Sequence, residues 1–216
     1  IYYIDMSKLV LYYESYSTGK YNIYLKKDEQ YQNYLNNTFS SEEDIKTAQM
    51  KINTIVNEIQ ANIESLETDY DKILYIHDWI TENIKYNETL NKTNRNDIYG
   101  AFIEKEVTCG GYAKAFKYLA DKLNIDCIII QGKATSDEKT ENHAWNYIKL
   151  SNNWYGVDCT WDDPIIIGSN GNEEKQKYYT YFLKGKEAFN NHKPFETFWD
   201  TKIKINYPEL SNNNYN

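Results

Sequence analysis

Val107-Thr108-Cys109-Gly110-Gly111-Tyr112-Ala113-Lys114-Ala115-Phe116 opens an amphipathic helix on a cysteine. After the two glycines, apolar residues recur at Ala113, Phe116, Leu119, Ala120 and Leu123, one face of a helical period, and Asn124 supplies a stop. Cys109 therefore falls at the helix N-terminus, where unpaired backbone N–H groups and the positive end of the macrodipole favour thiolate over thiol. Gly110 and Gly111 add no side-chain bulk beside the sulfur, so a carbonyl can approach and backbone N–H groups can turn toward an oxyanion. Taken alone, the stretch also fits a buried cysteine at a glycine-rich helix start.

Two later runs change that balance. His143-Ala144-Trp145-Asn146-Tyr147-Ile148-Lys149-Leu150 and Trp154-Tyr155-Gly156-Val157-Asp158-Cys159-Thr160-Trp161 are rich in β-formers and are separated by Ser151-Asn152-Asn153, the pattern of an antiparallel hairpin. Any even-numbered loop sets His143 and Asp158 on one face, because side chains alternate with period two. A four-residue loop from Lys149 to Asn152 would oppose them directly. A tight turn on Asn152-Asn153 would instead oppose Asp158 to Tyr147 and require a bulge. If they meet, Asp158 accepts a hydrogen bond from one ring nitrogen of His143, leaving the other for the proton of Cys109.

These stretches, with the Asp162-Asp163-Pro164 that ends the last, resemble the transglutaminase-like superfamily of papain-like cysteine enzymes, in particular its bacterial secreted branch. The resemblance extends to Ile76-His77-Asp78-Trp79-Ile80, Ile84-Lys85-Tyr86, Tyr99-Gly100-Ala101-Phe102, Tyr181-Phe182-Leu183 and His192, and covers roughly residues 68–195. It implies Cys109 as nucleophile, His143 as general base and acid, and Asp158 as the group orienting the imidazole. It implies an α+β, papain-like fold with N-terminal helices and the nucleophile helix packed on an antiparallel sheet. The expected chemistry is acyl transfer on protein carboxamides through a thioester, cross-linking glutamine to lysine. A peptidase or deamidase using the same triad, and a non-catalytic surface or scaffold module, are the alternatives. An extracellular or cell-surface address, with any leader or anchor outside these residues, also follows from the resemblance alone.

One departure stands out. Papain-like enzymes often carry a glutamine shortly before the cysteine to complete the oxyanion hole, and Ile103-Glu104-Lys105-Glu106-Val107 has none. The Cys109 N–H, at the helix start with Gly110, is expected as the first donor and Tyr99 or a nearby backbone group as the second. Trp145 and Trp161 flank the base and the aspartate. Strand positions favour core packing for both, and Trp145, on the His143 face, is the better candidate for a cleft wall.

The chain has 216 residues and a formal net charge of -8, which argues against nucleic acid as a partner because phosphate binding needs a basic stripe. A protein or peptide substrate is expected. No apolar run approaches the roughly 20 residues of a membrane span. Of the three cysteines, Cys109 is expected to be free, and Cys127 and Cys159 to be core thiols.

Residues 1–39 form an N-terminal strand segment, with Lys8–Tyr13 and Tyr21–Leu25 flanking a Ser17–Lys20 turn, and could be the end of a preceding module. Residues 40–210 form the catalytic domain. It begins with a long helix whose capping box is Ser40 with Glu43, then a second helix capped by Asp69. His77 lies among apolar positions of the second helix and reads as a packed histidine, and His192 as structural or surface. Residues 86–98 and Thr135–Asn142 read as polar loops, the latter a cleft rim because it runs into His143. Ser169-Asn170-Gly171-Asn172-Glu173-Glu174 lacks the alternating ligands of a calcium loop and reads as a turn, and no zinc-like Cys/His spacing occurs. No metal or cofactor is expected, and the tail from Ser211 to Asn216 is expected to fray.

Overall fold

The computed structural model describes residues 2–4, 6–163, 166–167, 173–174, 176–197, 202 and 204–215. Two compact units divide the chain, residues 1–51 and residues 52–216. In the first, strands β1 (Leu9–Ser17) and β2 (Lys20–Lys27) form an antiparallel hairpin in the expected place. Gly19, at φ +72°, supplies the left-handed turn residue that a side chain would strain. Tyr2, Leu35 and Phe39 are buried beneath the connection that follows, and the Tyr2 ring meets Phe39 edge-on.

Helix α1 (Glu42–Ile63) contains the division between the units. Its capping residues are one position later than expected: Asp44 accepts from the Ser41 backbone N–H at 3.1 Å, and Ser41 Oγ accepts from the Asp44 N–H at 3.1 Å. Ser41 and Asp44, not Ser40 and Glu43, thus satisfy the free donors of the first turn, a shorter carboxylate doing the work of the glutamate. Ile52, Val56, Ile59 and Ile63 then hold the helical period and are all buried.

Helix α2 (Asp69–Asn83) is capped by Thr68, whose hydroxyl accepts from the Asp71 N–H, in place of the expected Asp69. Its buried face is Ile73, Ile76, His77 and Ile80. After it, β3 (Lys85–Tyr86) runs parallel to β4 (Glu106–Val107), with a π-helical turn over Gly100–Glu104 between them. The polar segment 86–98 is therefore more than a solvated loop. Asn87 and Asn94 are buried and donate to Glu106 and Glu104 at 2.6 and 2.7 Å, and the Thr108 N–H reaches Arg95 O at 2.7 Å. Amide N–H groups that find carboxylates let a polar sequence fold inward here, although Asn87 Oδ1 and Glu104 Oε2 are buried without a partner among the described residues.

Helix α3 (Cys109–Lys122) buries Ala113, Ala115, Phe116, Leu119 and Ala120. It packs on α2 and on strands β5 (Cys127–Ser136) and β6 (Lys139–Leu150). Strand β7 (Asn153–Val157) follows, then the two-residue strands β8 (Ile166–Ile167) and β9 (Glu173–Glu174), and β10 (His192–Pro194). An antiparallel sheet in the order β10-β5-β6-β7 results, and the fold is α+β as expected.

Both hairpins of this sheet turn on two residues with positive φ: Asp137 and Glu138 at 47° and 66°, Ser151 and Asn152 at 50° and 66°. Such turns match the right-handed twist of the strands they join. The expected loop Thr135–Asn142 is thus strand up to a tight turn, its polarity reflecting exposure near the tip. The expected turn over 169–174 lies largely outside the described residues. Nor is the tail frayed: Ser211 O accepts from Lys186 N at 2.7 Å, Tyr215 N donates to Leu183 O at 3.1 Å, and the Tyr215 ring stacks on Tyr70. Among the described residues no helix is long and apolar enough to cross a membrane.

Candidate active site

Cys109 is the first residue of α3 and is half-buried. The helix start is fixed from below. Thr108 is extended and bonded to Arg95 O, and the Gly111 N–H closes on Thr108 O at 2.8 Å. The two glycines serve packing as well as access. A Cβ on Gly111 would stand 2.4 Å from Val107 Cβ, and one on Gly110 would stand 2.9 Å from Asn96 Oδ1.

The β6–β7 register pairs Asn146 with Val157, through a turn on Ser151-Asn152 that matches neither register considered from sequence. Its loop is still even, so the shared face survives. Continued by one residue, the ladder would set Asp158 across from Trp145, diagonal to His143, a separation that an imidazole and a carboxylate can bridge. His143 Nε2 lies 2.7 Å from Asp158 Oδ2, with both groups buried. The chain leaves the ladder after Val157, and Asp158 Oδ1 accepts the backbone N–H groups of Thr160 and Trp161 at 3.0 and 3.4 Å.

Burial alone would push the His143 imidazole down. The charge and hydrogen bond of Asp158, then the hydrogen bond and charge of Cys109, outweigh it and raise His143 to about 10. With Nε2 turned to Asp158, Nδ1 is the nitrogen left to face the sulfur. Burial would raise Asp158, and the charge and bond of His143, followed by those of His192, hold it well below the usual carboxylate range. His143 and Asp158 are therefore bonded to one another, with Cys109 near enough to His143 to act on its charge. The other thiols are not part of this group: burial pushes Cys127 up to about 12 and Cys159 well above its ordinary value.

The secondary site residues fall differently. Trp145 is in the core, 1% exposed, against Phe189 and the edge of His192. The face it shares with His143 is covered by those rings, so it forms no cleft wall. Trp161 does, stacked on the His143 ring at 5.0 Å. Tyr99 lies at the start of the π-helical turn, where burial and then the charges of Glu104 and Asp97 act on its hydroxyl. Tyr86, not Tyr99, lines the cleft with His143, and after burial the charge on Cys109 is the main influence on its hydroxyl.

That cleft has a volume of about 450 Å³ and includes Glu88, Glu141, Thr160, Trp161 and Asp163 in its walls. A second lobe of about 510 Å³ shares Lys139, Glu141, Thr160 and Trp161 with it. The polar tip of the β5–β6 hairpin thus borders the site, as expected of its residues.

Two buried ties hold the segment after Asp158. His77 Nε2 lies 3.1 Å from Asp162 Oδ2 and its Nδ1 3.2 Å from Asp78 Oδ1, while Tyr112 donates to Asp163 Oδ2 at 2.6 Å. His77 is packed, as expected, but with a partner in the motif itself. Burial would lower it, and its bonds to Asp162 and Asp78 raise it overall.

His192 is the residue that sequence reasoning passed over. It is buried, and its Nε2 lies 3.1 Å from the same Asp158 Oδ2. Its place on β10, paired with Ala134 of β5, carries no local signal. Ligand atoms of His143, Asp158 and His192 lie within 4.8 Å of one another, the grouping among the described residues that could hold a metal ion.

An α+β domain that converges a helix-terminal cysteine, an imidazole and a carboxylate has the composition of a cysteine-enzyme site. Residues 55–159, which contain all three, match the family model of the transglutaminase-like superfamily, and over that span the chain is similar to it. The chain is 23% identical over 135 residues to kyphoscoliosis peptidase of Mus musculus and 21% identical over 131 residues to that of Homo sapiens. These matches take in 57% and 56% of this chain but 20% and 19% of the relatives, so the chain spans about a fifth of their length. The crystal structure of a TGase is similar at 15% identity and a TM-score of 0.46, over 66% of this chain and 38% of that one.

Proposed function

We propose that this domain is a cysteine-dependent acyltransferase acting on protein carboxamides. The observation that carries the reading is the His143 ring, bonded to Asp158 through Nε2 and raised against burial to about 10 by that carboxylate, with the helix-terminal Cys109 near enough to add to the effect. Cys109 thiolate attacks the carboxamide carbon, forming the C–S bond, and the tetrahedral oxyanion collapses as the C–N bond breaks. His143 delivers its proton to the departing nitrogen, which leaves as ammonia. A lysine amine then attacks the thioester, His143 takes the proton lost by that amine, and the thiolate departs, leaving an isopeptide bond.

The oxyanion is received by the Cys109 N–H and, in this reading, by the Tyr86 hydroxyl, which faces the cleft where the expected glutamine is missing. Tyr86→Phe is then expected to lower kcat by about 10²-fold with KM nearly unchanged. Equal kcat values for the two proteins would remove Tyr86 from the mechanism.

A second reading has water resolve the thioester, making the domain a peptidase or deamidase, and the name of the mammalian relatives favours it. Incubation with a glutamine-containing peptide and a labelled primary amine separates the two. Label incorporation that Cys109→Ala abolishes supports transfer, and glutamate formation or chain cleavage without incorporation supports hydrolysis. Iodoacetamide near neutral pH is expected to modify Cys109 and spare Cys127 and Cys159, whose burial holds them as thiols. Uniform modification of all three, or of none, would count against any catalytic reading.

A further inference from the structure

Asp158 has no acceptor capacity to spare. Its Oδ1 takes two backbone N–H groups, and its Oδ2 is approached by His143 Nε2 at 2.7 Å and His192 Nε2 at 3.1 Å. A carboxylate that is 1% exposed keeps its charge only through such donors. The proposed reaction weakens one of them for part of each turnover, since His143 keeps its Nε2–H on Asp158 but loses the imidazolium charge when its Nδ1 proton leaves. Whenever His143 gives its proton to a leaving nitrogen, its hold on Asp158 weakens, and a buried carboxylate left under-supplied tends to take up a proton itself.

We infer that His192 is a positioning residue, a permanent second donor that keeps Asp158 ionised and stationary while His143 cycles between imidazolium and imidazole. The inference rests on the triad reading above and extends it to a four-membered Cys-His-Asp-His chain. His192 is built to stay in place. Its ring stacks on Phe189 at 4.1 Å, lies 4.7 Å from Trp161, and meets Trp145 edge-on at 4.9 Å. Its Nδ1 lies 2.9 Å from the accepting Oδ1 of Asn191, whose Nδ2 donates to Thr135 O and the Tyr181 hydroxyl. Such packing suits a fixed donor and denies the ring the freedom a proton shuttle needs.

The charges around it are few. Across from His192 stand His143 and Asp158. Asp162 is nearby on the same turn and already bonded to His77, and Cys159, beside Asp158, is a buried thiol. Burial lowers His192 below the ordinary imidazole value in spite of Asp158, in keeping with a donor that does not compete with His143 for the role of base.

The test needs no substrate: the rate of Cys109 alkylation by iodoacetamide is followed against pH. His192→Phe keeps an aromatic ring and removes the donor, and Asp158 should then lose its charge at higher pH. With Asp158 uncharged the imidazolium beside Cys109 loses the carboxylate that supports it, so the acid limb of the profile is expected to move up by about one pH unit. His192→Gln, which retains an N–H donor, is expected to return most of that shift. Coincident acid limbs for wild type and His192→Phe would overturn the inference, as would equal shifts for Phe and Gln. In the unmodified protein, nitrogen-15 histidine spectra are expected to show a proton on His192 Nε2 throughout the active range, and a bare Nε2 would overturn it too. A wild-type Cys109 without selective reactivity would instead sink the triad reading beneath it, a different outcome from a reactive Cys109 indifferent to residue 192.

Discussion

Asp158→Asn is expected to slow thioester formation by about 10³- to 10⁴-fold while the domain stays folded. The reason lies in how many donors the carboxylate serves. Oδ1 is committed to the Thr160 and Trp161 N–H groups, so an amide keeping its oxygen there turns its NH₂ toward the Nε2 atoms of His143 and His192. Both rings must then leave Nε2 bare and carry the proton on Nδ1. For His143 that proton would point at Cys109, and a ring in that tautomer cannot take a proton from the sulfur.

The pH dependence should change in a defined direction. In the wild type Asp158 helps raise His143 from 6.5 to about 10, so the stabilisation is complete below pH 6.5 and is lost as pH climbs through about 10. In the variant the charge that offset burial is gone, and the alkaline limb of kcat is expected to fall below its wild-type position near pH 10. A loss smaller than tenfold, with the alkaline limb unmoved, would mean that Asp158 does not orient the base.

Why some of this was legible in the sequence and some was not is a matter of range. The α3 face from Ala113 to Ala120 repeats within a few residues, so its period reports burial directly. His143 and Asp158 lie on adjacent strands, where parity alone decides the shared face. Register was another matter. Ser151-Asn152 takes up two left-handed residues without a glycine, so the usual two-residue turn signal was missing.

The remaining gaps are long-range. Tyr86 reaches the cleft through a parallel pairing of only two residues with β4, too short to leave a periodic trace. His192 gains its partner only because β10 returns to β5 at Ala134. The Trp145 face was inferred correctly as that of His143, but whether a face is open depends on what covers it. Phe189 and His192, both far along the chain, do so.

Gly111→Ala is the harshest test of how the nucleophile is seated. Helix propensity favours the change by about 1 kcal/mol, since glycine is a poor residue inside a helix. Against it stands a Cβ placed 2.4 Å from Val107 Cβ and 2.7 Å from both its γ-carbons. Val107 cannot retreat. It is fully buried, paired with Tyr86 on β3, and its carbonyl accepts the Asn87 N–H at 2.9 Å.

Overpacking of that kind costs about 1–3 kcal/mol and outweighs the propensity gain, so the first turn of α3 should move instead. Cys109 sits in that turn, and a displacement near 1 Å can cost about 10²-fold in rate. The expected result is a lower melting temperature together with about a hundredfold slower Cys109 chemistry, and Val107→Gly added to Gly111→Ala should recover part of both. Gly110→Ala is the control. Its Cβ would meet the side chain of Asn96, 2.9 Å from Oδ1, and that exposed group can turn aside for the loss of the bond it accepts from the Thr108 hydroxyl. If Gly111→Ala melts and reacts like the wild type, the close seat of the nucleophile helix on β4 does not govern the site. If Gly110→Ala proves the more damaging of the two, access to the sulfur, the role read first from the sequence, is what the paired glycines secure.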